Sequence, residues 1–261
     1  MSDSLLRNYH THTPRCNHAS GSEEEYILRA IERGTLVLGF SDHSTYLFSS
    51  PFFSAHRMKN EEIDEYVSTL YALREKYKDK IELHIGFEVE YYPNTWEASL
   101  AEWKKHGIEY LILGQHYVGI EEFGARSTFK PVESEEELKN YVFLITECMK
   151  TGKISYVAHP DAINFVGDRE LFLRETEKII DTALDLDLPL EYNMLGLNRK
   201  RFYPQEDFWQ MVSKKGAKVI LGCDAHETDD VANPKTIKLA RENLKKLGIT
   251  NIVDKLEFKP L

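Results

Sequence analysis

Short apolar runs alternate with amphipathic stretches along this chain. The runs read LLRNYHTH, LVLGFSDH, IELHIGFEVEYY, YLILGQHY, ISYVAHPD, LPLEYN and AKVILGCDAH. Each is dense in Val, Ile, Leu, Tyr or Phe, the composition of strands buried on both faces. The stretches between them carry helix punctuation. Ser22 and Glu25 make a capping box before Tyr26, Ile27, Ala30 and Ile31, and Gly34 stops that helix. Asn60 is placed to cap a helix with apolar positions at Ile63, Tyr66, Val67, Leu70, Leu73 and Tyr77. Further helices are expected after Thr95, over residues 135–149 and over residues 170–186. Asn233-Pro234 opens a last one that runs to Gly248. Strand–helix alternation repeated about seven times predicts a parallel α/β barrel. No repeat or Pro/Gly/Ser linker divides the chain, so residues 1–261 are expected to form one unit.

Composition narrows the setting. Hydrophobic residues are 42% and charged residues 29% of the total, a globular balance. No apolar run is long enough to span a bilayer, so no membrane partner is expected. MSDSLLRNYH lacks the basic and apolar regions of a secretory signal. The three cysteines, Cys16, Cys148 and Cys223, are scattered, which argues against a disulfide framework and for a cytoplasmic protein. The net charge of −10, with no basic stripe, makes nucleic acid a poor candidate partner.

The polar residues that change the picture stand at the ends of the apolar runs. The first run ends in His10 and His12, with His18 beyond the turn at Pro14. The others deliver Asp42-His43, Glu88 and Glu90, Gln115-His116, His159-Pro160-Asp161, Glu191-Tyr192-Asn193 and Asp224-Ala225-His226. Residues i and i+2 of a strand share a face, so His10 and His12 project together, as do Glu88 and Glu90. In a parallel α/β barrel the C-terminal strand ends form the face where active sites are built. Imidazole and carboxylate donors without a cysteine cluster suit divalent Zn, Mn, Fe or Co. They are too many for one tetrahedral ion and fit two or three, with Glu88 the best bridge. Asp42 should point away from His43, toward a role orienting a ligand or capping a helix. Cys223 should face away from the cluster and pack, whereas Cys16 is open to either role. His56, His84 and His106 lie off the strand ends and read as surface or packing residues.

In this order, YHTHTPRCNH, GFSDH, GFEVEYY, GQHY, AHPD and GCDAH resemble the motifs of the PHP (polymerase and histidinol phosphatase) superfamily. The resemblance spans roughly residues 7–230. The chain is most similar to the stand-alone histidinol phosphatases of that superfamily. The resemblance implies a distorted (β/α)7 TIM-like barrel, the PHP fold, with a trinuclear metal centre. One metal would take His10, His12, Glu88 and Asp224. A second would share Glu88 and take His116 and His159. A third would take His18, His43 and His226. Gln115 stands where relatives often carry Ser.

The implied reaction is hydrolysis of L-histidinol phosphate, a small phosphomonoester, within histidine biosynthesis. Two metals bridged by a carboxylate would deprotonate a water, and the hydroxide would attack phosphorus in line. Glu88, Asp224 and His226 are the expected catalytic residues, with Asp224 or His226 relaying a proton to the leaving alkoxide. Arg199 is the expected phosphate clamp, with Arg57 and Arg126 as rivals. Glu90, Asp161 and Glu191 are candidate acceptors for a cationic aminoalcohol, and Tyr91, Tyr117 or Phe165 for a wall against an imidazole. The alternatives are a phosphodiesterase or exonuclease of the same superfamily, or a silent metal-binding interaction module.

Overall fold

The structure is a computed structural model that describes residues 4–261; the first three residues of the expected 1–261 unit lie outside the described ones. Four parallel strands pair in chain order: β1 (Arg7–Asn8), β2 (Val37–His43), β3 (Glu82–Val89) and β4 (Tyr110–Leu113). Three more form a second parallel group: β5 (Leu190–Asn193), β6 (Val219–Gly222) and β7 (Ile252–Val253). Two seams join the groups. Val157 makes parallel bridges to both Leu113 and Leu190. Thr11 bridges Ala225, with His12 N–H donating to the Ala225 carbonyl at 2.9 Å. The parallel sheet therefore curls into a distorted barrel. The ISYVAHPD run contributes only the Val157 bridges, where a full strand was expected. Gly152 precedes that run, and Pro160 follows a left-handed His159, φ 29°, so the extended segment is short. β7 was not anticipated; it covers the start of β6, pairing Val219 with Ile252.

Among the described residues eight α-helices link the strands: α1 (Glu23–Glu32), α2 (Ile63–Tyr77), α3 (Trp96–Lys105), α4 (Glu135–Lys150), α5 (Arg169–Asp185), α6 (Met194–Asn198), α7 (Glu206–Lys215) and α8 (Pro234–Lys246). The capping box at Ser22 and Glu25 is formed, and Asn233 accepts from Lys235 and Thr236 N–H groups. Asn60 does not cap α2. It lies in a 3₁₀ turn and donates to the Tyr46 carbonyl, while the Glu62 carboxylate takes the Lys59 N–H. The short helices α6 and α7 were not read from the pattern. No helix among the described residues is long and apolar enough to cross a membrane.

The main core lies between strands and helices, with Trp103, Trp209, Phe40, Phe87 and Phe172 fully buried. A smaller cluster of Tyr9, Tyr110, Ile112, Tyr156 and Ile220 packs against Leu256 and Phe258. Tyr110 and Ile112 pair with Gly86 and Glu88, and Ile220 shares strand parity with Asp224, so this cluster floors the barrel beneath the polar strand ends.

Candidate metal centre

The C-terminal strand ends bring the nine expected ligands into one site. Five overlapping groups each place their donor atoms within 4.8 Å of one another: His10/His12/Glu88, His10/His159/Asp224, His43/Glu88/His116, His18/His43/His226 and His12/Cys16/His226. Glu88 is central. Its Oε1 lies 2.8 Å from His159 Nε2, 3.4 Å from His10 Nε2 and 3.6 Å from His116 Nε2. Its Oε2 lies 3.0 Å from His43 Nδ1 and 3.6 Å from His12 Nε2. Asp224 Oδ1 stands 3.1 Å from His12 Nε2 and 3.5 Å from His10 Nε2. Both imidazoles are buried, and neither Nε2 has an aligned hydrogen-bond partner. His18 and His226 point their Nε2 atoms at each other across 3.0 Å.

The far side of five of the seven imidazoles is held. Glu191 Oε1 meets His10 Nδ1 at 2.8 Å, Asp42 Oδ1 meets His12 Nδ1 at 3.3 Å, and Glu90 Oε1 meets His116 Nδ1 at 3.0 Å. The Cys16 and Asp224 carbonyls accept from His18 and His226 Nδ1 at 2.7 and 3.0 Å. A carboxylate or carbonyl on Nδ1 leaves the Nε2 lone pair free and raises its basicity, the usual arrangement around a metal-binding histidine. A buried cluster of unpartnered imidazole nitrogens facing carboxylate oxygens is costly unless a cation joins it. The donor set therefore fits divalent metal.

The electrostatics agree. Burial disfavours a charged His10, but Glu191, Asp224 and Glu88 outweigh it and raise the ring to about 10. Burial also opposes ionised Glu88 and Asp224, yet the surrounding imidazoles hold both carboxyls well below their usual range. Burial, then His226 and His12, push His18 down to about 4. Burial and His12 also push His43 and His226 down, so His18, His43 and His226 favour the neutral form, the state in which imidazole ligates. His159 and Asp224 take left-handed backbone, φ 29° and 49°. That costs each about 1 kcal/mol and is typical of functional positions.

An open cavity of about 410 Å³ rises above this cluster. His18, His43, His116, Asp224 and His226 line its floor, and Arg201, Lys130, Phe129, Tyr203 and Ser127 its wall. Arg201 lies over the Phe129 ring at 5.4 Å and donates to the Tyr203 hydroxyl at 2.9 Å. Arg201, Lys130, Phe129 and Tyr203 were not among the residues expected at the site, although Arg201 lies only two positions beyond Arg199. Arg199 is not among the lining residues. It reaches Glu227 and Asp230 at 3.2 Å each. Arg126 pairs with Glu137. Arg57 borders the cavity but is buried against Glu90 and Glu121.

The expected substrate carboxylates have other partners. Glu191 sits behind His10. Asp161 accepts from Trp209 Nε1 at 3.0 Å and Gln205 N–H at 2.5 Å, away from the cavity lining. Glu90 does line the cavity, with its oxygens shared among His116, Arg57 and Tyr92. Of the expected aromatic wall only Tyr117 faces the cavity; Tyr91 packs on Trp96 and Phe165 on Phe172. His56 also lines the cavity, edge-on to His18, whereas it read as a surface or packing residue. Cys223 turns away and accepts the Ala232 N–H.

Comparison with known proteins follows the same geometry. A family model described as PHP domain matches residues 8–194. A protein of Deinococcus radiodurans named "Probable histidinol-phosphatase" is 25% identical over 85% of this chain and 86% of its own. One of the same name from Schizosaccharomyces pombe is 24% identical over 93% and 87%. The crystal structure of histidinol phosphate phosphatase from Lactococcus lactis, in complex with Zn, L-histidinol and phosphate, superposes with a TM-score of 0.70. It shares 19% identity and covers 97% of this chain and 99% of that one. At that identity the superposition speaks for the fold, and the match across 8–194 speaks for the lineage: the chain belongs to the PHP domain family.

Proposed function

We propose that this chain is a metal-dependent phosphomonoesterase hydrolysing L-histidinol phosphate to L-histidinol and phosphate in cytoplasmic histidine biosynthesis. The chemistry rests on one observation: the buried, unpartnered Nε2 atoms of His10 and His12 face the carboxylates of Glu88 and Asp224. The substrate rests on the two relatives named for histidinol phosphatase, aligned over most of both chains.

The proposed cofactors are two or three divalent ions of Zn, Mn, Fe or Co type. His10, His12, Glu88 and Asp224 would hold one, Glu88, His116 and His159 a second, and His18, His43 and His226 a third. When bound, the ions supply an activated water for in-line attack and positive charge for the phosphoryl oxygens. Glu88 keeps its two oxygens turned toward different imidazoles, so it is the carboxylate suited to sharing. Arg201 and Lys130 approach the phosphoryl group from the cavity wall, and Arg201 takes the clamping role first assigned to Arg199. Phe129 and Tyr203 hold the Arg201 guanidinium and bound the space left for the alcohol. The proton given up by the attacking water would pass to the departing oxygen through Asp224 or His226, both on the cavity floor.

The test is phosphate release from L-histidinol phosphate, other phosphomonoesters and a phosphodiester, with and without chelator. Chelator-sensitive turnover of L-histidinol phosphate above the other monoesters is expected. Turnover of the diester alone, or of nothing, would overturn the proposal.

A further inference from the structure

Arg57 is a buried cation outside the ligand set. It comes from the segment after β2 and is 3% exposed. Its Nη2 donates to Glu90 Oε1 at 2.8 Å, the same oxygen that meets His116 Nδ1 at 3.0 Å. Its Nε donates to Glu121 Oε2 at 2.9 Å, on the segment after β4 that also carries His116. Tyr92 donates to the other Glu90 oxygen, and the Tyr46 ring lies 5.1 Å beneath the guanidinium. Glu90 and Glu121 are both buried. Two buried carboxylates this close need a shared countercharge, and a planar guanidinium can serve both at once.

We propose that Arg57 is a positioning residue for His116, fixing the Glu90 oxygen that sets the His116 ring. The inference rests on the reading of His116 as a metal ligand. Arg57 pins Glu90 Oε1 from one side, so the carboxylate can accept the His116 Nδ1 proton only from the other. That choice leaves His116 Nε2 without a proton, facing Glu88. Without Arg57 the Glu90 carboxylate is free to turn, and the ring loses both its orientation and its tautomer. Groups that orient a ligating histidine typically change metal affinity about 10–100-fold when removed.

The experiment is cadmium-113 NMR of the full chain loaded with cadmium, with release to a chelator followed in parallel. His116→Ala identifies the resonance to which His116 contributes. Arg57→Met is expected to shift or broaden that resonance and leave the others in place. Release of that ion should become about 10–100-fold easier. Arg57→Lys keeps a donor for Glu90 and should recover most of the loss. If Arg57→Met does not fold, Glu90→Gln reads the same contact, with the same selective change expected. An unmoved His116 resonance with unchanged release would overturn the proposal. So would a uniform change in every resonance, the mark of a general structural role. If His116→Ala moves no resonance, the ligand reading fails first and this inference falls with it.

Discussion

The Glu88 carboxylate occupies the space where a side chain on residue 114 would begin. A Cβ on Gly114 would overlap Glu88 Oε1, and Gly222 stands in the same relation to Glu191. Gly114 needs no unusual backbone angle, so alanine is forbidden there by the neighbour alone. Gly114→Ala is therefore expected to fold but to push Glu88 off the position it shares among five imidazoles. A displacement of about 1 Å at such a centre typically costs about 100-fold in rate. Metal content per chain and phosphatase rate should fall together while the circular dichroism spectrum stays unchanged. Full metal content in the variant would show that Glu88 is not the shared ligand.

The carboxylates behind the rings should matter almost as much as the ligands. Glu191 holds His10 Nδ1 and also accepts the His159 N–H at 3.1 Å. Asp42 holds His12 Nδ1 and accepts the Thr13 N–H at 3.2 Å. Glu191→Gln and Asp42→Asn keep the shape but weaken the acceptor. Each is expected to lower metal affinity about 10–100-fold, as read by competition with a chromophoric chelator. Wild-type affinity in both would sink the idea that these residues set ring orientation.

The difference between Glu88 and Glu191 shows what strand parity conveys and where it stops. Parity put His10 beside His12, and Glu88 beside Glu90, on a common face, because side chains two residues apart must point alike. It could not tell how deep a residue lies along that face. Glu191 and Glu90 face inward too, but one sits below His10 and the other behind His116. The Asp42 alternatives resolved for a similar reason: the strand curls, so an outward carboxylate still reaches His12. Arg201, Phe129 and Tyr203 lie on segments beyond the strands, where no periodicity constrains direction. Val157 bridges two strands without belonging to one, because pairing, not composition, defines a strand.

Arg199 and Arg201, two positions apart, separate cleanly by their neighbours. Arg199 is engaged by two acidic residues, half in solvent, whereas Arg201 stacks on Phe129 within the cavity wall. Loss of a charge-assisted bond to the phosphoryl group costs about 1.5–3 kcal/mol, or about 10–100-fold. Arg201→Ala should lower kcat/KM by that factor, and Arg199→Ala by less than about twofold. Steady-state kinetics on L-histidinol phosphate decide it; the reverse order would return the clamp to Arg199.

Acid stability should depend on a pair far from the metal centre. Arg74 grips both oxygens of Glu109, at 2.7 and 2.8 Å, and the Ile85 N–H donates to Oε2 at 3.0 Å. Burial opposes the charged form, but His84, Arg74 and the Ile85 amide outweigh it and pull the carboxyl from 4.5 down to about 2. A depressed folded value means that the folded state favours the ionised form. The contribution is complete above the unfolded value of about 4.5 and disappears as pH falls toward 2. Discounted for the quarter of the side chain still exposed, it is worth about 2 kcal/mol at neutral pH. Glu109→Gln should unfold at lower urea than the wild type at pH 7, and the gap should shrink by more than half at pH 3. Chelator-treated protein keeps metal release out of both curves. A gap that stays constant from pH 7 to pH 3 would mean that the Arg74 pair adds no pH-dependent stability.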